Sequence, residues 1–235
     1  MSFPKKLPAA VYAALAVADT VAAGRQSSSP PARRLRYVLK PALMPALAAA
    51  FLDGTRERRG SSDTSLLHTG TAAAQALSWG GDVALLGSSE KSFLTGVGSF
   101  FGAHLAYIAA FASVRGERED YDTTGLKVAL GLWLTAAPVM GIAAGRQDPS
   151  LRVPVAAYTT VLCAMFASSR MLDPALPPSA RRTLQTGTAL FLLSDSVLAA
   201  QKFLLTKPHP IVESVVMSTY TVGQGLIARG VASAS

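Results

Sequence analysis

The amino-acid sequence predicts an all-α fold, a polytopic membrane helix bundle of eight transmembrane helices. Three observations predict it. Half of the residues are hydrophobic and 15% are charged; the charges fall in short clusters between long apolar runs; and each run is near the length a helix needs to cross the hydrocarbon layer. The mean hydropathy of +0.32 is modest because the runs are filled with Ala, Gly, Ser and Thr, small residues that let membrane helices approach closely.

The same composition excludes several classes. The net charge of +8 would suit nucleic acid, but Arg33, Arg34 and Arg36, or Arg56, Arg58 and Arg59, sit at the ends of apolar segments. That is the pattern of topology signals and headgroup contacts. No basic and aromatic interleaving marks a nucleic-acid surface. The single cysteine, Cys163, excludes an intramolecular disulfide or a Cys-based metal cluster and reads as a packing residue.

Residues 7–23 form the first span. Lys5 and Lys6 ahead of an apolar run imitate a secretory leader, but Asp19 breaks that run and further spans follow, so the segment reads as retained. A Pro/Ser-rich basic loop, 24–36, leads to the second span, 37–52. It contains Pro41 and Pro45, which bend a membrane helix and free backbone carbonyls, and Lys40, which either snorkels to the interface or serves the interior. The third span, 66–86, carries His68, Gln75, Trp79 and Asp82; Gly80 and Gly81 leave room for another helix or a ligand beside the carboxylate. In the fourth, 93–114, His104 and Tyr107 share one face.

The fifth and sixth spans, 126–144 and 151–172, hold Pro138, Pro154 and Tyr158 but no acid or base, and read as scaffold. The seventh, 184–205, carries Ser194 and Asp195 and ends near Lys202. The eighth, 211–228, carries Glu213, Tyr220 and Gln224. The whole chain, 1–235, therefore reads as one integral membrane domain. The side holding the amino terminus, the even-numbered connections and the tail has twelve of the 22 Lys and Arg residues, a small bias toward both termini in the cytoplasm.

Asp195 lies near the middle of the apolar run 187–203, where an ionisable group must face the bundle interior, find partners or hold a proton. Its bland reading is a helix cap or tie. Asp82 repeats the setting: Ala76-Leu77 precedes it by the spacing at which Ala189-Leu190 precedes Asp195, and Leu85 and Leu198 follow at the same distance. Either chance similarity or a duplicated four-helix unit accounts for the match; duplication brings both carboxylates to a central cavity.

Several motifs stand in order along the chain: Lys40-Pro41-Ala42-Leu43-Met44-Pro45, Gly81-Asp82, the run from Phe101 through His104 and Tyr107 to Ile108, Leu190-Phe191, Ser194-Asp195, Leu198-Ala199, and Tyr220 with Gln224. Through them the chain resembles the YhhN-like lysoplasmalogenase family of eight-span membrane proteins. Trp79-Gly80 before the Gly-Asp pair and Gly225 depart from the pattern. The resemblance implies hydrolysis of the vinyl-ether bond of lysoplasmalogens to a fatty aldehyde and a glycerophospho-base. An enol ether is cleaved by protonating its β-carbon, which leaves an oxocarbenium ion that water attacks, so the site needs an acid and a nearby negative charge.

Asp82 and Asp195 are the expected catalytic pair. Lys40 either holds one of them charged or binds the lipid phosphate; His104 and Tyr107 orient water or an acid; Ser194, Tyr220 and Gln224 support the site. The expected partners are a lysophospholipid substrate and membrane lipids, in the inner membrane of a bacterium or the endoplasmic reticulum of a eukaryote, with no cofactor and no metal. The oligomeric state is open. The competing class is a small transporter or lipid-binding membrane protein whose paired Asp residues carry protons or cations. A metal-assisted hydrolase using Asp82, Asp195 and His104 ranks below both, because no HExxH-like ligand spacing is present.

Overall fold

Capping and proline chemistry set where several helices begin. Ser29 turns its hydroxyl to the Ala32 N–H at 3.4 Å and is followed by two prolines in the first turn of α2 (Pro30–Thr55), positions where a missing N–H costs nothing. Ser89 caps α4 (Glu90–Ala112) through the Ser92 N–H at 3.0 Å. Asp122 caps α5 (Thr123–Gln147) through the Gly125 N–H at 2.9 Å, and Pro178 opens α7 (Pro178–Phe203). The remaining helices are α1 (Leu7–Arg25), α3 (Ser65–Ala84), α6 (Arg152–Ser168) and α8 (Ile211–Ser233). This is a computed structural model, which describes residues 7–56, 65–207 and 209–234.

These bounds correct the sequence reading in places. The expected loop 24–36 shrinks to a turn, because Ser29-Pro30-Pro31 is a helix start rather than a linker. Arg33, Arg34 and Arg36 therefore ride on α2. The seventh helix begins at Pro178 rather than 184, and the sixth ends at Ser168 rather than 172. The cations Arg58 and Arg59 of the expected topology signal, and Lys5 and Lys6, lie outside the described residues.

All regular structure among the described residues is helical, with one isolated bridge between Arg115 and Leu172. Helices α1, α2, α4 and α5, and the segment Pro149–Ser168 that contains α6, are long and apolar enough to cross a membrane. The chain is a multi-pass membrane protein. Helices α3, α7 and α8 carry much of the buried polar inventory: Gln75, Ser78 and Asp82; Thr188, Ser194 and Asp195; Thr221 and Gln224.

Consecutive helices pack as hairpins, α1 with α2, α3 with α4, α5 with α6 and α7 with α8, while α8 also meets α1, α2 and α3, and α4 meets α6. The α7–α8 contact is backbone against backbone. A Cβ on Gly187 would lie 2.7 Å from the Ile227 nitrogen and 2.8 Å from the Gly223 carbonyl oxygen, so only glycine permits this approach. Helix α5 is peripheral and turns Leu130, Leu134, Val139 and Ile142 outward, as lipid contact requires.

Both prolines of α2 are absorbed within one continuous helix. Pro45 has no N–H for the carbonyl of Pro41, four residues back, and that freed oxygen accepts the indole N–H of Trp79 at 2.9 Å, the satisfaction that hydrocarbon demands. At one end of the bundle the 113–122 and 169–177 connections are tied together: the Gly116 N–H donates to Met171, and the Asp173 N–H to Val114, both at 3.0 Å. The opposite end, where α1–α2, α3–α4, α5–α6 and α7–α8 turn, holds the cavity.

Candidate functional site

A cavity of about 650 Å³ enters the bundle at this second end. Its lining is mixed. Arg33, Arg36 and Lys40 of α2, Glu213 of α8 and Lys202 of α7, which lies over the Phe93 ring, bring charge; Phe93 and Val97 of α4, Leu151, Val155 of α6 and Phe203 of α7 bring apolar surface. Asp82, Asp195, Tyr158 and Tyr220 also line it. Such a mixed lining suits an amphiphile with a charged head and an apolar chain.

Asp82 is 1% exposed and sits in the last turn of α3. It receives the phenol hydrogen of Tyr220 at 2.8 Å and faces the Lys40 ammonium at 3.4 Å. The turn is packed tightly: a Cβ on Gly81 would meet the Phe100 ring at 2.5 Å. The room left by this glycine is thus taken by helix α4. Lys40 is buried against its carboxylate, so it serves the interior instead of snorkelling to the interface.

Asp195, in the second half of α7, has no Lys or Arg within ion-pair distance among the described residues. Tyr158 donates to its Oδ2 at 2.5 Å, and the Nε2 of His104 faces the same oxygen at 3.8 Å. The other imidazole nitrogen, Nδ1, is 2.5 Å from the Phe100 carbonyl. A carbonyl can only accept, so Nδ1 carries the hydrogen and, in the neutral ring, Nε2 presents a lone pair toward the carboxyl group. His104 is fully buried behind Asp195 and does not line the cavity. Edge-on ring contacts join His104 to Tyr158 and Phe191, and Phe191 and Phe100 to Tyr220. One aromatic cluster therefore holds the partners of both carboxyl groups.

The other expected site residues divide. Tyr107 donates to Gln224 at 2.6 Å, and Gln224 donates to Ser78 at 3.0 Å. This buried chain ties α4, α8 and α3 together and lies off the cavity lining. Ser194 lines it, but its hydroxyl donates to the Val216 carbonyl at 2.9 Å and joins α7 to α8.

Three residues at the site escaped the sequence reading. Tyr158 was scaffold there, yet it is the hydrogen-bond donor to Asp195. Asp19 and Arg36 were a broken run and a loop cation; they are a buried pair, with Arg36 Nε 3.2 Å from Asp19 Oδ1. Arg36 also donates to Gln26 at 2.7 Å and stands 3.7 Å from Glu213, clamping α1, α2 and α8 at the cavity mouth. A carboxylate in one span and a guanidinium near the start of the next was the available signal. Among the described residues no group of three or more His, Cys, Asp or Glu side chains is arranged to hold a metal ion.

The YhhN family profile matches residues 35–231, a stretch that includes Lys40, Asp82, Tyr158, Asp195 and Tyr220. The chain is 30% identical over 141 residues to a human (Homo sapiens) protein named lysoplasmalogenase TMEM86B, covering 58% of this chain and 52% of that protein. It is 32% identical over 143 residues to the pig (Sus scrofa) protein of the same name, covering 60% and 54%. The chain thus spans about half the length of the curated relatives it matches. No solved structure matches it. With a profile match running from α2 to α8, the chain belongs to the YhhN family.

Proposed function

We propose that this protein is a lysoplasmalogenase-like hydrolase that cleaves the vinyl-ether bond of alkenyl lysophospholipids. The observation that carries the reading is the unequal partnering of two carboxyl groups in one cavity. Asp82 has a cation and a phenol beside it; Asp195 has a phenol and an imidazole lone pair. A carboxyl group without a cation in a dry site is the one that holds a proton.

Asp195 then acts as the acid and gives its proton to the β-carbon of the enol ether. The double-bond electrons form the new C–H bond, and the positive charge on the α-carbon and ether oxygen is met by the Asp82 carboxylate. Water adds to the α-carbon and passes a proton to Asp82. The hemiacetal collapses as Asp82 protonates the departing glycerol oxygen and Asp195 takes the hydroxyl proton. The net change is enol ether plus water to aldehyde plus alcohol, with both side chains restored.

In this reading all eight helices span the membrane as a single domain, and α3, α7 and α8 cross in spite of their polar faces because those faces are packed inward. Both termini face the cytoplasm, which puts the cavity mouth on the other side. The decisive test is incubation of the purified protein with an alkenyl lysophospholipid. Release of aldehyde is expected, whereas substrate flux in proteoliposomes with no aldehyde would favour the non-catalytic transporter.

A further inference from the structure

The inner face of α3 carries more polar groups than the cavity uses. His68, Thr71, Gln75, Ser78 and Asp82 recur at three- and four-residue steps, which stacks them on one buried face. From Thr71 to Asp82 the stripe runs about 16 Å along the helix. It continues from Asp82 away from the cavity mouth, through a layer where Ser78 meets Gln224 and Gln224 meets Tyr107.

Two members of the stripe are unmatched. The Thr71 hydroxyl and both the oxygen and the nitrogen of the Gln75 amide are buried with no hydrogen-bond partner among the described residues. Leaving such groups unmet costs about 1–3 kcal/mol each, and lipid cannot relieve them. Buried polar groups of this kind are met by ordered water, which makes two to four bonds and bridges neighbours one helical turn apart. Thr71 and Gln75 are such neighbours.

We propose that the inner face of α3 binds a file of internal water molecules, along Thr71, Gln75 and Ser78, that reaches Asp82 from behind the cavity and supplies the water of the hydrolysis. The second half rests on the hydrolase reading. An amphiphile entering at the mouth places its head in the cavity's open end and excludes bulk water from that side. The water attacking the α-carbon must then arrive from elsewhere, and this stripe is a path of unmatched polar groups that leads to a cavity carboxylate.

Radiolytic hydroxyl-radical labelling of the purified full chain tests the file without substrate, because a bound water ionised in place marks its neighbours. His68 and Tyr107 are expected to be labelled although buried, while Met165, buried in the apolar core and intrinsically more reactive, is not. Labelling at both is expected to fall to the Met165 level in Thr71→Val/Gln75→Leu, with Thr71→Val alone as the milder variant. In the aldehyde assay these variants are expected to lose at least about tenfold in kcat with KM unchanged.

Unlabelled His68 and Tyr107 in the wild type would overturn the file. Unchanged kcat together with a raised Tm in the variants would overturn it as well, since that is how removal of merely orphaned polar groups reads out. A wild type that releases no aldehyde would remove the hydrolase reading and the supply role with it, while the labelling still decides whether the file exists.

Discussion

Asp82 and Asp195 share a cavity, an aromatic cluster and a phenol donor each, and differ in their third partner. The Lys40 ammonium of α2 stands 3.4 Å from Asp82, whereas Asp195 faces the Nε2 of His104 at 3.8 Å and no Lys or Arg among the described residues. In the proposed hydrolase, helix packing separates these two chemically identical side chains into a fixed charge and a proton carrier. The lesson is that a membrane bundle can assign acid and counter-ion by where it delivers one lysine, with no difference between the carboxyl groups themselves.

Replacing each Asp by Asn breaks this comparison most directly. Both variants are expected to lose about a thousandfold in aldehyde release, but only one should lose stability. Asp82→Asn leaves the Lys40 ammonium buried without a counter-charge, a loss of about 3–5 kcal/mol. Asparagine is close in shape to a protonated Asp and still accepts from Tyr158, so Asp195→Asn should unfold near the wild-type temperature. Adding Lys40→Met to Asp82→Asn should restore the unfolding temperature and leave activity absent. Thermal unfolding in detergent decides: equal destabilisation by both Asn variants would mean that Asp195 also holds charge, and the division of labour fails.

The phenols sharpen the comparison at smaller scale. Tyr158 is the donor to Asp195, whereas Tyr220 shares Asp82 with Lys40. A hydrogen bond to a carboxylate, the form Asp195 takes as it gives up its proton in the proposed reaction, is worth about 1.5–3 kcal/mol. Tyr158→Phe is therefore expected to lower kcat by about ten- to a hundredfold, and Tyr220→Phe by less, because Lys40 remains. Steady-state aldehyde release measures both. The reverse order would point to Asp82 as the proton donor.

How these residues could be read in advance follows from what their neighbours signal. The helices were legible because lipid demands long apolar runs with every backbone group bonded inside the segment. Asp82 and Asp195 were legible because a carboxyl group within such a run needs a reason. Tyr158 was not, since a tyrosine in an apolar helix carries no charge to explain and its partner lies on a different helix. Lys40 left two readings open until packing placed it on Asp82. The start of α2 was missed because composition marks Ser29-Pro30-Pro31 as linker, while cap chemistry marks the same residues as a helix beginning. Pairings such as Asp19 with Arg36 depend on which helix faces turn together, which no local pattern contains.

Ser194 gives the smallest expected effect. It precedes Asp195 in the chain and lines the same cavity, so proximity alone would make it a substrate contact. Its hydroxyl, however, is already committed to the Val216 carbonyl across the α7–α8 contact. Hydrogen bonds between membrane helices average about 0.6 kcal/mol, and Ser194→Ala should cost that much stability with kcat and KM unchanged. Val216 keeps its own helical partner, so no carbonyl is stranded by the change. A tenfold loss of kcat at wild-type stability would show that the hydroxyl leaves Val216 when substrate arrives, and the cavity's polar groups would then include a third working residue beside the two carboxyls.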